Sequence, residues 1–314
     1  MDVCLKALES GQAVFPISDS TYVEVNKIRR HNQRRDLSEA IEMLSRFLVV
    51  ASRTIIYELE IEALLDSRLG VCSFPAGRVS YLEWGVARSF GMVGGFRVYD
   101  EAENDVTDEV ARRHPLGYDN FMALLDGAEL ALNRMILEGP TEDEESKLRA
   151  SGWNPEGIAD VVGKRLEQEK ELVEILTNDS KWRRGRTRDV VSVREIEIEI
   201  ASNLATELVK RNTTFATVFS TQEEARLAFD AMPSFDVSVT MKTAYHRDLS
   251  HGWTQNDIHD IDALASTVPY CDVVVTDKAA ASHINRAGIA ERTDTKVIHS
   301  LDDLSALLYE AMNE

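Results

Sequence analysis

Carboxylates cluster at two places late in the chain. The run Asn256-Asp257-Ile258-His259-Asp260-Ile261-Asp262 has helical character, and the apolar run Val273-Val274-Val275 ends in Thr276-Asp277. Ile258, Ile261 and Leu264 recur at helical spacing, so Asn256, Asp257 and Asp260 lie on a different face from that apolar stripe, and Asp262 points away from Asp260. Asp277 falls at the C-terminal end of a predicted buried strand, where open α/β sheets place their ligands. Carboxylates gathered in this way repel one another unless a proton or a divalent cation holds them, and Mg²⁺ or Mn²⁺ prefers such oxygen donors. The pattern reads as half of a hard-metal site. A cation held there would lower the pKa of a bound water and offset negative charge on a bound oxygen.

Each of these residues also has a plainer role open to it. Asp257 and Asp260 could complement the positive end of a helix dipole, an effect of about 0.3–1 kcal/mol. Asp277 could cap the helix that follows, and Glu24 stands three residues after Thr21, the spacing of a capping box. His246, His251 and His259 match no compact zinc pattern. Trp253 reads as a packing anchor at a loop-to-helix corner. A glycine-rich phosphate loop and a GxSxG elbow are both lacking in the sequence, so nucleophilic catalysis by serine or cysteine has no support.

The elements that must position these groups can be read along the 314 residues. Gln12 to Ile17 reads as a short buried strand ended by Pro16 and a polar turn, with a helix following from about Thr21. Further helices run through Leu37 to Leu48 and Ile55 to Leu65, and Phe47 to Val50 fits either a short strand or a helix end. Residues 70–95 read as loops with a helix near Leu82 to Phe90. Residues 101–180 are acidic and helical, and Val191 to Asn212 reads as a helix in spite of the alternation Glu195-Ile196-Glu197-Ile198-Glu199-Ile200. Thr221 to Met232 is an amphipathic helix stopped by Pro233. The acidic helix, a strand at 272–276, a helix at 278–287, a strand near Lys296 to Ile298 and a helix from Asp302 complete the chain.

Composition is that of a folded globular protein, 44% hydrophobic and 28% charged. No stretch approaches a membrane span or a signal peptide, and the three cysteines fall in no CxxC pattern, so a reduced cytoplasmic setting is expected. The net charge of −19 argues against a nucleic-acid partner if taken alone. Its distribution is uneven, however. Lys27, Arg29, Arg30, Arg34 and Arg35 form one basic cluster, and Lys181, Arg183, Arg184, Arg186 and Arg188 form another around Trp182. Either could track a phosphate backbone, and either could be an ordinary solvated face.

Taken together, Val14-Phe15-Pro16-Ile17-Ser18 leading to Glu24, the segment Asn256 to Ala265, and Pro269-Tyr270-Cys271-Asp272-Val273-Val274-Val275-Thr276-Asp277-Lys278 resemble the PIN-like nucleases, in particular bacterial PIN-like proteins with a long helical insertion. The resemblance covers both ends of the chain and hardly touches its middle. It implies a three-layer α/β/α parallel sheet formed by residues 1–100 and 213–314, with residues 101–212 as the insertion, in a molecule that is helix-rich overall. It also implies a Mg²⁺- or Mn²⁺-dependent endoribonuclease. On this likeness Glu24, Asp260 and Asp277 would be catalytic and, with Asp257, metal-binding, while Asn256 and Asp262 would support them and Arg30, Arg34, Arg183, Arg184 and Arg186 would bind RNA. The family's first strand, which ends in an Asp, has no counterpart here. A start recorded downstream of the true one would explain this. The alternative is a PIN-like protein without catalysis that binds RNA or a protein partner, and a toxin restrained by a protein regulator or antitoxin is a third class.

Overall fold

A computed structural model describes residues 1–72, 80–92, 95–151, 154, 156–183, 185–248 and 250–313. The structure is 68% helical, and among the described residues the strands form two sheets of two strands each. This overturns the expected three-layer PIN-like α/β/α sheet. The strand expected at 12–17 contributes only an isolated parallel bridge between Ile17 and Val49, with Pro16 unable to donate to a ladder and Val14 exposed. The stretch expected to be helical near Leu82 holds a strand, Leu82–Trp84, followed by a single turn, Val86–Ser89.

The described residues cluster into two compact units, one of Met1–Ala51 with Leu82–Trp153 and the other of Ser52–Tyr81 with Asn154–Glu314. In the first, β1 (Leu48–Val50) pairs antiparallel with β2 (Leu82–Trp84), Leu48 opposite Trp84. Tyr22, Val25, Phe47, Val49, Val86 and Leu137 form its core. Arg34 is spent on that unit's architecture: its guanidinium donates to the carbonyls of Ile28, Glu138 and Pro140 at 2.9, 2.8 and 2.5 Å. The long helix Tyr118–Glu138 ends there at Gly139, whose φ is +71° and where an added Cβ would meet Asn26 Oδ1 at 2.0 Å, so only glycine fits.

In the second unit β3 (Val273–Val275) and β4 (Lys296–Ile298) pair in parallel, Val274 opposite Val297. Helices Pro233–Arg247, Gln255–Thr267 and Lys278–Arg286 share a buried cluster with these strands, and the same unit holds Arg53–Leu69, Glu156–Asn178, Thr187–Glu195 and Ala201–Lys210. The sequence leaves residues 233–252 without an element, yet Pro233–Arg247 is the central helix. Phe235 and Val239 lie in one buried cluster with Tyr57, Ile61 and Phe229, while Val237 and Met241 lie in another with Ile258, Ile261 and Ile284. Buried on several faces and rich in β-branched residues, it shows no amphipathic period, and Pro233, which reads as a stop, is its first-turn starter. The alternation at 195–200 is a π turn, Ile196–Ile200, in an otherwise continuous helix.

Candidate carboxylate site and the ion chain behind it

Thr254 starts the helix Gln255–Thr267 through a capping box: its hydroxyl accepts from Asp257 N–H at 3.4 Å, and Asp257 Oδ2 accepts from Thr254 N–H at 2.6 Å and from its hydroxyl at 2.8 Å. The other oxygen of Asp257 faces His251 Nε2 at 3.4 Å. Asp277 N-caps the helix Lys278–Arg286, accepting from Ala279 and Ala280 N–H at 2.7 and 3.2 Å. Asp260 and Asn256 are exposed on the first of these helices.

Tyr245 ties these pieces together. Its ring stacks on His251 with centroids 4.3 Å apart and meets Trp253 and His283 edge-on at 5.6 and 5.7 Å. Burial, and then the negative field of Asp257, Asp260 and Asp277, push its phenol pKa up, so all three late carboxylates act on one hydroxyl.

The first unit holds Glu24. It is exposed, forms an ion pair with Lys27 at 2.5 Å, and does not cap its helix; Thr21 instead accepts from Ser18 N–H at 3.4 Å. Asp262 faces away from Asp260, as its position in the helix requires, and binds Arg165 through both oxygens at 2.5 and 2.8 Å and Arg53 at 3.1 Å. As donors, three carboxylates suit a hard cation. Their spacing does not close into a cage: among the described residues no three His, Cys, Asp or Glu are grouped so as to hold a metal ion.

The basic residues expected to meet RNA are divided. Arg34 is committed to carbonyls, and Arg186 pairs with Asp189 at 3.3 Å and lies over the Trp182 ring at 5.3 Å. Trp182 packs against the core instead of standing free. Arg30 is exposed, Arg183 is half-buried, and Arg184 lies outside the described residues.

Behind the carboxylates runs a buried chain of charge that sequence reading missed. His246 Nε2 lies 2.8 Å from Glu169, whose other oxygen lies 2.8 Å from Lys242; Lys242 in turn lies 2.8 Å from Glu195. The other oxygen of Glu195 accepts from Arg53, Tyr57 and Ser238 at 3.1, 2.8 and 2.7 Å. Arg53 and Arg165 then share Glu199 and Asp262. Burial alone would raise the pKa of Glu169 and Glu195. Lys242, with His246 beside the first and Arg53 beside the second, outweighs it, holding Glu169 at about 2 and Glu195 far below the usual carboxylate range. The signal available in the sequence was Ser238, Lys242 and His246 at four-residue steps, one face of a helix that begins at Pro233.

Compared with known protein families, curated proteins and solved structures, the chain matches none.

Proposed function

We propose that the C-terminal end of β3 is a hydrolytic site for RNA phosphodiesters that works with Mg²⁺ or Mn²⁺. The observation that carries this reading is that Asp257 and Asp260 on one helix and Asp277 at the start of another, at the carboxyl end of a parallel strand, all add a negative field at the buried Tyr245 phenol. Those three carboxylates would hold the cation, which when bound supplies a nucleophilic water and offsets phosphate charge. Asp257 and Asp277 are fixed by their capping bonds, which orient one oxygen of each. Glu24, paired with Lys27 in the other unit, is left out of this donor set. The RNA substrate rests on the motif likeness at 256–265 and 269–278.

One observation favours a second reading, binding of RNA or a protein partner without catalysis: two of the three carboxylates already serve as caps, and the described residues form no closed cage. Cleavage of single-stranded RNA by the purified chain in Mn²⁺ decides between them. The hydrolytic reading expects cleavage that EDTA abolishes and that Asp260→Asn or Asp277→Asn lowers at least about 100-fold, roughly the scale of losing a group that stabilises transition-state charge. Asn at 277 still caps a helix, so the fold is kept. A wild-type chain that binds RNA and leaves it intact in Mn²⁺ establishes the second reading.

A further inference from the structure

The register of β3 on β4 decides which backbone groups the small parallel sheet uses. Lys296 N–H donates to the Asp272 carbonyl at 2.8 Å and Thr276 N–H to the Ile298 carbonyl at 2.9 Å, with Val274 opposite Val297 between them. Asp272, Val274 and Thr276 therefore face β4, and the N–H and C=O of Val273 and Val275 point the other way. Among the described residues none of those outward groups has a hydrogen-bond partner. The edge reaches solvent, since Val275 is 40% exposed. The far edge of β4 is guarded instead: Asn285, from the helix Lys278–Arg286, donates from Nδ2 to the Val297 carbonyl at 3.0 Å. A strand edge covered in this way resists pairing with another chain, and an uncovered one is a template for it.

Charge selects the strand that would be added. Asp272 and Asp277, both exposed, bracket β3, with Lys278 the one cation next to them in sequence. A second copy pairing antiparallel on this edge would set Asp272 of one chain toward Asp277 of the other, like against like. We propose that the outer edge of β3 is a docking edge for an extended peptide of a partner chain, β-branched in its centre and basic at both ends, which adds as a third strand through the backbone of Val273 and Val275. Main-chain hydrogen bonds supply the affinity of such an addition and the end charges its selectivity. The proposal requires neither a bound cation nor cleavage, so it is independent of the hydrolytic reading.

The probe is the terminally blocked peptide Arg-Lys-Thr-Val-Thr-Val-Thr-Lys-Arg, titrated onto the whole chain by isothermal calorimetry. Its binding should slow amide hydrogen exchange at Val273 and Val275 and leave Val274, already bonded within the sheet, unchanged. The same peptide with Glu at its four basic positions should bind at least about tenfold more weakly, and Asp272→Asn should narrow that gap. Val275→Pro removes an edge donor that β4 does not use, and proline is tolerated on an edge strand, so the melting temperature should stay within roughly 3 °C of wild type while peptide binding is lost. Should that variant fail to fold, the peptide N-methylated along its central Thr-Val-Thr-Val-Thr decides on the wild-type chain: it keeps every side chain and charge, and it should not bind. Equal binding of the methylated peptide overturns strand addition. So does an unmodified peptide that fails to bind, or that binds without slowing exchange at Val273 and Val275. A dimer of the chain alone in sedimentation, dissolved by Val275→Pro, gives the edge to a second copy and overturns the proposed partner.

Discussion

Among the described residues, the buried acid Glu60 forms no ion pair. One of its oxygens accepts from Ser234 N–H at 2.9 Å and from the Tyr270 hydroxyl at 2.5 Å, while the other is buried without a partner, as is Ser234 Oγ. Burial raises its pKa in spite of those bonds. A carboxyl whose folded pKa lies above its unfolded one contributes fully below the unfolded pKa, and that contribution is lost as pH rises through the folded value. Glu60→Gln keeps the acceptor, adds an amide donor and cannot ionise. Its melting temperature at pH 7 should exceed wild type by roughly 2–4 °C, and the gain should vanish near pH 4.5, as differential scanning calorimetry can check. An equal gain at both pH values would refute this account. Nothing in the sequence distinguishes Glu60 from the exposed Glu58 two residues earlier. The late carboxylates were legible because their neighbours have period, with Ile258, Ile261 and Leu264 marking one face and Val273 to Val275 marking a strand.

The Pro233–Arg247 helix shows what periodicity conceals. An amphipathic helix announces itself through its exposed side, and this one packs between two buried clusters with Ser238, Lys242 and His246 as its polar stripe. Lys242 sits between Glu169 and Glu195 with its side chain 7% exposed, so Lys242→Met leaves two buried carboxylates without their shared cation. Breaking a buried pair in this way costs about 3–5 kcal/mol, and urea unfolding followed by circular dichroism should show a loss of that size. Adding Glu169→Gln to Lys242→Met should return part of it, because one stranded charge is then removed. The flanking helices were easier to read. Thr254 with Asp257, and Asp277 ahead of an alanine run, are start signals that residue type alone supplies.

For the whole chain, the expected sheet failed because its strands are three residues long and shared between two units, and short apolar runs fix neither strand length nor partner. Stability of the whole should follow acid in a particular way. Glu169 titrates in the fold at about 2 against an ordinary 4.5, and Glu195 also lies low, so what they contribute is present above 4.5 and lost as pH falls toward 2. Glu60 acts in the opposite sense at higher pH. The melting temperature should therefore peak in mildly acidic buffer and fall steeply below pH 4.5; a profile flat from pH 5 to 2 would exclude the ion chain as a source of stability. The π turn at Ile196–Ile200 has its own bearing on how such a chain can change length. It holds one residue more than an α-helical turn, and each residue turns a helix by about 100°. Trimming a single amino acid there would turn the π turn into an α turn, leaving Glu195 in place and Leu204 and Leu208 facing the core, so the helix can lose one residue at this point without turning its far end.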